Sequence, residues 1–369
     1  MHTYAGYYDA VRSVRRVAPR PVDLFCIDEL PREEVFVGGR VHHTLRIARR
    51  LARADTMVYL PKLKCHCVTT MTGAVKLNIG ICSDDERAIR HDFLLNEKIV
   101  DLLAPGYPDF IVMDAVDVGV GNELTPTPRR LGLLIMGYNP LAVDYVGARL
   151  LGYRPDDVPY LRLAAARGYL PAQLEEVTLL GDIDSIAGLD AQAARLLPYD
   201  DAFYRWLDIE KELARLESPM RFVWGPSLPE NRSRCLTGCV MGLKTFLSIL
   251  ECHAGSEAFR RARPVTFIIG RPEEVVDAGG NDVFLIGSCS RAEIVNARKV
   301  TRLDKCFVTA SDMTISMGGK LGMPSPLHDP SLLLPLLYYM AHAALNKLFT
   351  GRYFQDAVYF FRKSFLRKL

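Results

Sequence analysis

Residues 61–80 read PKLKCHCVTTMTGAVKLNIG, and this stretch decides the fold and the function expected for the first part of the chain. It follows the apolar run 56–60, which predicts a buried strand. Cations that come after a strand in an α/β chain are well placed to bind an anion. The stretch holds more apolar residues than a solvated surface loop needs, so we expect it to bind a small anionic organic molecule. Its cationic side chains are Lys62, Lys64, His66 and Lys76.

Candidate catalytic residues follow from the chemistry of these side chains. His66 is a candidate proton carrier because the unperturbed pKa of imidazole lies near 6.5, and a buried histidine with satisfied hydrogen bonds is the competing interpretation. Lys64 could act as a base if it is desolvated. Asp114 follows a predicted strand and could share acid and base roles, whereas Asp144 is better explained as a residue that complements a helix dipole. The predicted substrate-binding residues are Lys62, Lys76, Thr72, Asn78 and His91.

Four cysteines give a second candidate site. Two precede a predicted helix, one follows a predicted strand, and one comes seventeen residues later: Cys235, Cys239, Cys289 and Cys306. Four thiols on loops at one end of a small sheet could hold an iron–sulfur cluster of the 4Fe–4S type. The C-x3-C spacing of the first two differs from the C-x2-C of ferredoxins and zinc ribbons, so zinc binding and ordinary buried cysteines stay open as alternatives. The adjacent Cys65, His66 and Cys67 are poor geometry for a metal site made of these three alone.

Composition and charge argue against several classes of protein. The 46 basic and 43 acidic side chains nearly balance, and no recognition motif for nucleic acid is present, so we expect no nucleic-acid partner. The first residues lack the apolar segment of a signal peptide. Nine cysteines are an odd number and are unevenly spaced, unlike a secreted disulfide framework. These features predict a cytoplasmic protein.

The order of predicted elements indicates an α/β fold with a layered, mostly parallel sheet domain, a smaller α/β unit that contains the cysteines, and a helical C-terminal tail. We place these parts at residues 1–190, 191–325 and 326–369. The predicted helices are 8–17, 42–53, 93–103 and 141–151, with another after Cys239. The predicted strands are 22–27, 35–37, 56–60, 110–113, 131–136, 265–269 and 283–286, and residues 117–130 are predicted to form a loop.

The end of the chain differs from the rest in charge. Residues 331–369 hold six basic residues and one acidic residue. The apolar run in this tail is shorter than the roughly twenty residues that span a bilayer. An amphipathic helix on an anionic membrane surface is one interpretation, which would make the protein peripheral to a membrane. A helix docked on its own chain, or on a second copy in a homodimer, is the alternative.

Six motifs occur in order along the chain: Ala54-Asp55, PKLKCH, TGAVKLNIG, His91, IVMDAVD and PLAVDYVGARLLG. Over about Leu45–Asp182 they resemble the uncharacterised domain-of-unknown-function family 362. Family members usually carry more N-terminal residues, so the resemblance implies that an N-terminal part of the domain is missing here. It also implies iron–sulfur ligands near a strand end of the form liG.C, which LIGSC at residues 285–289 matches. The family's following GCPP is replaced by Lys305-Cys306-Phe307, which weakens Cys306 as a ligand.

Together these observations predict an iron–sulfur oxidoreductase that acts on a small anionic organic molecule and exchanges electrons with an electron-transfer protein. Two alternatives stay open. The first is a non-catalytic binding or scaffold protein that associates with a membrane surface through the tail. The second is a racemase-like or epimerase-like enzyme with a metal cofactor, because the basic stretch is similar in its residue types to the nickel-pincer lactate racemase group.

Overall fold

A computed structural model describes residues 7–25, 27, 30–83, 86–87, 90, 94–123, 126–197, 205–225, 236–306 and 308–349. These residues form a mixed α/β structure with two larger sheets, two small two-stranded sheets and a helical C-terminal region. The predicted fold class is confirmed. One large hydrophobic core lies within residues 59–196 and a second within residues 206–323. The domain boundaries stay a prediction.

Strands and helices are interspersed along the described chain. The strands are β1 (Arg32–Phe36), β2 (Thr44–Ala48), β3 (Val58–Tyr59), β4 (Lys62–His66), β5 (Thr70–Thr72), β6 (Phe110–Val120), β7 (Thr127–Gly137), β8 (Arg221–Gly225), β9 (Val265–Gly270), β10 (Val276–Asp277), β11 (Asp282–Ile286), β12 (Ile294–Val295) and β13 (Lys299–Leu303). The α-helices are α1 (Tyr7–Arg15), α2 (Arg49–Ala52), α3 (Ala74–Leu77), α4 (Leu95–Asp101), α5 (Pro140–Leu150), α6 (Pro159–Ala166), α7 (Ile186–Ala194), α8 (Ile209–Arg215), α9 (Met241–Ala254), α10 (Glu257–Arg260), α11 (Ala310–Met317) and α12 (Pro330–Phe349).

The first larger sheet has the strand order β3-β6-β4-β5, and β7 pairs with β6 outside this order. β3 and β4 run parallel to β6, whereas β5 and β7 make antiparallel pairs. Burial alternates along β4, so Leu63 and Cys65 lie in the core while Lys62 and Lys64 lie on the opposite face. The sheet therefore presents the two lysines of β4 on the face opposite the core.

Helix α5 packs on the core face of this sheet and is the helix predicted over residues 141–151. It begins at Asn139, whose side chain accepts hydrogen bonds from the backbone N–H groups of Leu141 and Ala142, with Pro140 in the first helical position. Gly147 permits the close approach of helix and sheet, because a Cβ atom there would lie 3.0 Å from the Leu63 side chain.

The β1–β2 hairpin is held to α4 by one buried carboxylate. The backbone N–H groups of Arg40, Val41 and His42 donate to the two oxygens of Asp101 at 3.0, 2.6 and 3.1 Å. The Arg167 guanidinium donates to the same carboxylate at 2.6 Å. Asp101 is only 3% exposed, so it is a buried anchor for the loop of this hairpin.

The second larger sheet has the order β13-β11-β9-β8, and each pair is parallel. All six residues of β9 are buried, which is typical of a central strand in a parallel sheet. Because the strands are parallel, the segments that follow their carboxyl ends lie along one edge. Helix α9 connects β8 to β9, and its predicted apolar face is buried in the core: Val240, Leu243, Leu247 and Leu250.

Three predicted elements differ from the structure. The helix predicted over 42–53 is wrong, because β2 occupies 44–48 and only 49–52 are helical; Leu45 and Ile47 alternate into the core as in a strand. The loop predicted over 117–130 is wrong at both ends, since β6 continues to Val120 and β7 begins at Thr127. In the predicted strand 22–27, the described residues 22–25 and 27 are not in a strand.

The tail is helical over Pro330–Phe349, as predicted. Asp329 starts this helix, because its Oδ1 accepts the Ser331 backbone N–H at 2.9 Å and Pro330 occupies the first helical position. None of the helices in the described part of the chain combines the length and the apolar character that are needed to cross a bilayer.

Candidate functional site

His66 stands at the end of β4 and is 8% exposed. Its Nδ1 accepts hydrogen bonds from the backbone N–H groups of Val68 and Thr69, at 3.1 and 3.3 Å. A ring nitrogen that accepts hydrogen bonds carries no proton, so the neutral imidazole has its hydrogen on Nε2. Nε2 lies 3.6 Å from Oε1 of Glu123. His66 therefore presents an N–H group toward this carboxylate.

Glu123, in the loop between β6 and β7, accepts two hydrogen bonds from Cys67. Its Oε2 accepts the Cys67 backbone N–H at 2.9 Å, and its Oε1 accepts the Cys67 thiol at 3.1 Å. Burial acts to raise the pKa of Glu123, but His66 and the hydrogen bonds from Cys67 lower it overall, so Glu123 is an anion at neutral pH. Burial and the neighbouring Glu123 raise the pKa of the Cys67 thiol, which keeps its proton.

Lys76, which is on α3, lies near Glu123. Lys64 in turn lies near Lys76. Burial, together with the charge of Lys64, lowers the pKa of Lys76 to about 8, while Glu123 opposes the shift. Among the residues that the structure describes, Lys64 has no carboxylate within ion-pair distance. Two ammonium groups therefore share one carboxylate, which leaves an excess of one positive charge. We call Lys64, His66, Cys67, Lys76 and Glu123 the basic cluster.

The basic cluster also contains a set of potential metal ligands. Ligand atoms of His66, Cys67 and Glu123 all lie within 4.8 Å of one another, and imidazole, thiolate and carboxylate are ligands that zinc accepts. A metal on Nε2 would require the ring proton to move to Nδ1, where it would meet the two backbone N–H groups of Val68 and Thr69. The hydrogen bonds to His66 thus favour a proton on Nε2 over a metal ion.

Lys62 and Asp114 lie at the exposed end of the same face. Lys62 Nζ is 2.7 Å from Asp114 Oδ2, and both side chains are nearly half exposed. Burial acts to raise the pKa of Asp114, but the hydrogen bond from Lys62 and the backbone N–H of Val116 lower it. These two predicted site residues neutralise one another, and the roles predicted for them stay predictions.

Thr72 and Asn78 have structural hydrogen bonds. The Thr72 hydroxyl donates to the backbone oxygens of Lys62 and Lys64, at 3.3 and 3.2 Å. Asn78 is fully buried, and its Oδ1 lies 2.6 Å from the Tyr59 hydroxyl. These hydrogen bonds do not connect the side chains of Thr72 and Asn78 to the side chains of the basic cluster. Their substrate-binding role stays a prediction. The predicted site residue His91 lies outside the described residues.

Asp144 in α5 caps a different helix from its own. Its two carboxylate oxygens accept the backbone N–H groups of Ala74 and Val75 at 2.5 and 3.1 Å, and Tyr160 donates its hydroxyl at 3.0 Å. Burial raises the pKa of Asp144 to about 7, against the effect of these three donors. Through this cap, Asp144 fixes the start of α3 and thereby the position of Lys76.

The structure brings two of the predicted cluster cysteines together. A Cβ atom on Gly287 would lie 3.4 Å from Cys239 Sγ and 3.9 Å from Cys289 Sγ. Gly287 also has φ +103°, a conformation that favours glycine. The backbone N–H of Val308 donates to Cys239 Sγ at 3.3 Å. Two thiols thus flank a backbone position that carries no side chain.

The other cysteines are placed by the strand topology. Cys289 and Cys306 follow the carboxyl ends of β11 and β13, so they belong to the same edge of the second sheet. Cys306 is exposed. Cys235 lies outside the described residues, in the segment that connects β8 to α9. Cys252 is exposed thirteen residues beyond Cys239, about 20 Å of helical rise, so it is remote from the thiol pair.

A side-chain contact joins the two candidate sites. Thr245 on α9 neighbours the Cys67 thiol of the basic cluster and acts to lower the thiol's pKa, while its own hydroxyl donates to the Met241 backbone oxygen at 2.8 Å. Thr245 lies six residues after Cys239, which corresponds to about 9 Å of helical rise. The basic cluster and the pair of thiols beside Gly287 therefore adjoin the same helix.

Three residues that build this arrangement are not among the predicted site residues: Glu123, Cys67 and Thr245. Glu123 is more than fifty residues from His66 in the sequence, in a segment that gave only a loop signal. Cys67 adjoins Cys65 and His66 in the sequence, and these three alone are poor geometry for a metal site. The β6–β7 pairing, which brings Glu123 back to the end of β4, could not be read from local spacing.

Comparisons with known proteins agree with the order of the motifs. The model of the family described as "Domain of unknown function (DUF362)" matches residues 5–149, a stretch that begins and ends before the predicted Leu45–Asp182. A thylakoid-associated protein of Synechocystis sp. is 28% identical over 153 residues, which cover 38% of this chain and 48% of the relative. The chain thus spans about half the length of this curated relative. No solved structure matches. The resemblance is confirmed: residues 5–149 match the model of the DUF362 family.

Proposed function

We propose that this protein is an iron–sulfur-dependent oxidoreductase that acts on a small organic molecule carrying a carboxylate. The observation that supports this proposal is the contact of the basic cluster with α9, the helix that starts beside Cys239. A site for an anionic substrate and a site rich in thiols then share one helix. An electron-transfer protein would be the electron partner.

Charge defines the substrate class in this proposal. Lys64 and Lys76 carry one positive charge more than Glu123 balances, so the basic cluster suits a molecule with a single carboxylate. The Nε2–H of His66 is a hydrogen-bond donor that can polarise a carbonyl oxygen of the substrate. The two backbone N–H groups that donate to Nδ1 fix the ring with Nε2 directed toward Glu123.

Lys76 is the residue best suited to exchange a proton with the substrate. Its lowered pKa, about 8, lies close to neutral pH, where both of its protonation states are populated. Glu123 stabilises the ammonium form, and the Asp144 cap fixes the helix on which Lys76 stands. The fully protonated Cys67 thiol would serve as a donor to Glu123 rather than as a nucleophile.

Cys235, Cys239, Cys289 and Cys306 would hold the cluster. The position without a side chain at Gly287, between two thiols, fits such a group, because a larger residue would fill the space. The cysteine-bearing loops also follow strands of one parallel sheet, so they share an edge. When bound, an iron–sulfur cluster supplies single electrons at a potential that its surroundings set.

Anaerobic purification of the full chain tests this proposal. We expect a brown protein with equal amounts of iron and acid-labile sulfide, and a loss of both in the Cys239→Ala/Cys289→Ala variant. Cys252→Ala is the matched control, because it removes a thiol at the far end of α9. Circular dichroism must show that the double variant folds. A colourless wild-type protein without iron would overturn the cluster, and nickel lost on Lys64→Ala would instead favour a racemase-like enzyme.

A further inference from the structure

Helix α12 exposes several large apolar side chains to solvent. Among its side chains that the structure describes, the large apolar ones that are exposed, with their exposed fractions, are Leu332 (51%), Leu334 (63%), Leu337 (50%), Tyr338 (65%) and Leu345 (54%). Residues 331–346 contain no charged side chain. A patch of this kind on a single exposed helix is a site of interaction, because its contact with water is unfavourable by about 25 cal/mol per Å².

The charge of the following sequence indicates what covers this helix. Residues 347–369 contain six lysines and arginines and one aspartate, a net charge of +5. Pairing with a second copy would bring two such segments together, and their repulsion opposes a homodimer. An anionic lipid surface instead attracts the basic residues and buries the apolar ones.

We infer that α12 binds an anionic membrane surface and lies in the headgroup region. The helix does not meet the requirements for crossing a bilayer, so the attachment is peripheral. Its side chains at 334, 337 and 338 enter the boundary between headgroups and acyl chains. The net charge of +5 that the sequence carries over residues 347–369 attracts the anionic lipids. This attachment is independent of the iron–sulfur cluster.

Co-sedimentation of the full-length protein with lipid vesicles tests the inference. We expect binding to vesicles of phosphatidylcholine with phosphatidylglycerol, and weaker binding at high salt, because salt screens the lipid charge. The Leu334→Ser/Leu337→Ser/Tyr338→Ser variant should bind at least about tenfold more weakly. The matched control is Leu60→Ser/Leu170→Ser/Leu180→Ser, which removes three exposed leucines from the first part of the chain and should bind like the wild type.

Three outcomes would overturn this inference. The first is equal binding to vesicles of phosphatidylcholine alone, which would remove the role of lipid charge. The second is a homodimer in light scattering that the triple serine variant converts to monomer, with no binding to vesicles. The third is a monomer that binds no vesicles. Iron analysis of the same samples keeps these results separate from the proposed redox function.

Discussion

At the scale of single residues, Gly73 makes the capping of α3 possible. A Cβ atom at this position would overlap the Asp144 carboxylate. We therefore expect Gly73→Ala to lower the free energy of unfolding by about 2–4 kcal/mol, because it disrupts two hydrogen bonds to a buried carboxylate. Gly80→Ala is the matched control, since no atom lies within 4 Å of its added Cβ. Urea denaturation measures both, and equal effects would contradict this role of Gly73.

The lowered pKa of Lys76 predicts that the affinity for an anion depends on pH. Its pKa is lowered to about 8, so the ammonium form that attracts an anion is complete well below pH 8 and is lost above it. The affinity for a small carboxylate such as lactate should fall about tenfold between pH 7 and pH 9. Isothermal titration calorimetry at constant ionic strength measures this affinity.

Arginine at position 76 separates charge from other effects of pH. Lys76→Arg keeps its charge over this range, so its affinity should no longer fall between pH 7 and pH 9. Lys62→Arg should keep the wild-type decline, because Lys62 is exposed and paired with Asp114. An unchanged decline in Lys76→Arg would assign the titration to another group.

At the scale of elements, Asp101 joins the β1–β2 hairpin to α4. Asp101→Ala removes the acceptor of three backbone N–H groups and of the Arg167 guanidinium. We expect a loss of about 3–5 kcal/mol of stability, because buried donors lose their partner. Hydrogen exchange followed by mass spectrometry should show faster exchange over residues 32–48. Asp117→Ala, which breaks an exposed pair with Arg130, should leave exchange there unchanged.

The elements that could be predicted are those in which the spacing of apolar residues clearly fits a helix or a strand. Where the spacing fits both, the prediction failed. Helix α5 and the apolar face of α9 followed from helical spacing, and β9 and β11 from short apolar runs that end in glycine. In β2 the spacing of Leu45 and Ala48 suggested a helix, but pairing with β1 selected a strand. Tertiary pairing overrode the local pattern in this case.

At the scale of the whole molecule, the two large hydrophobic cores predict two unfolding transitions. Leu63→Ala in the first core and Phe267→Ala in the second should each cost about 3 kcal/mol or more, since both residues are fully buried. Each substitution should lower the melting temperature of a different transition in differential scanning calorimetry. A single transition that both substitutions shift equally would show that the two cores unfold together.

The candidate site was predicted in part because some of its chemistry is local in sequence. Lys64, His66 and Lys76 lie within fifteen residues, and alternation along β4 places the first two on one face. Glu123 and Thr245 join them only through the packing of distant segments. The fold class could be read from the order of elements, but the meeting of the basic cluster with α9 depends on tertiary contacts that no spacing encodes.

Because the cysteines differ in exposure, the rate at which each thiol is alkylated reports on the local opening of the protein. Among the described thiols, Cys252 and Cys306 are exposed, whereas Cys65 is buried in the first large core and Cys82 in a smaller cluster with Leu45 and Ile47. A maleimide added to the native protein would alkylate Cys252, which is outside the proposed cluster, first, and the two buried thiols only after the surrounding residues open. Intact-mass spectrometry of such a reaction would count opened molecules directly, without an introduced fluorophore.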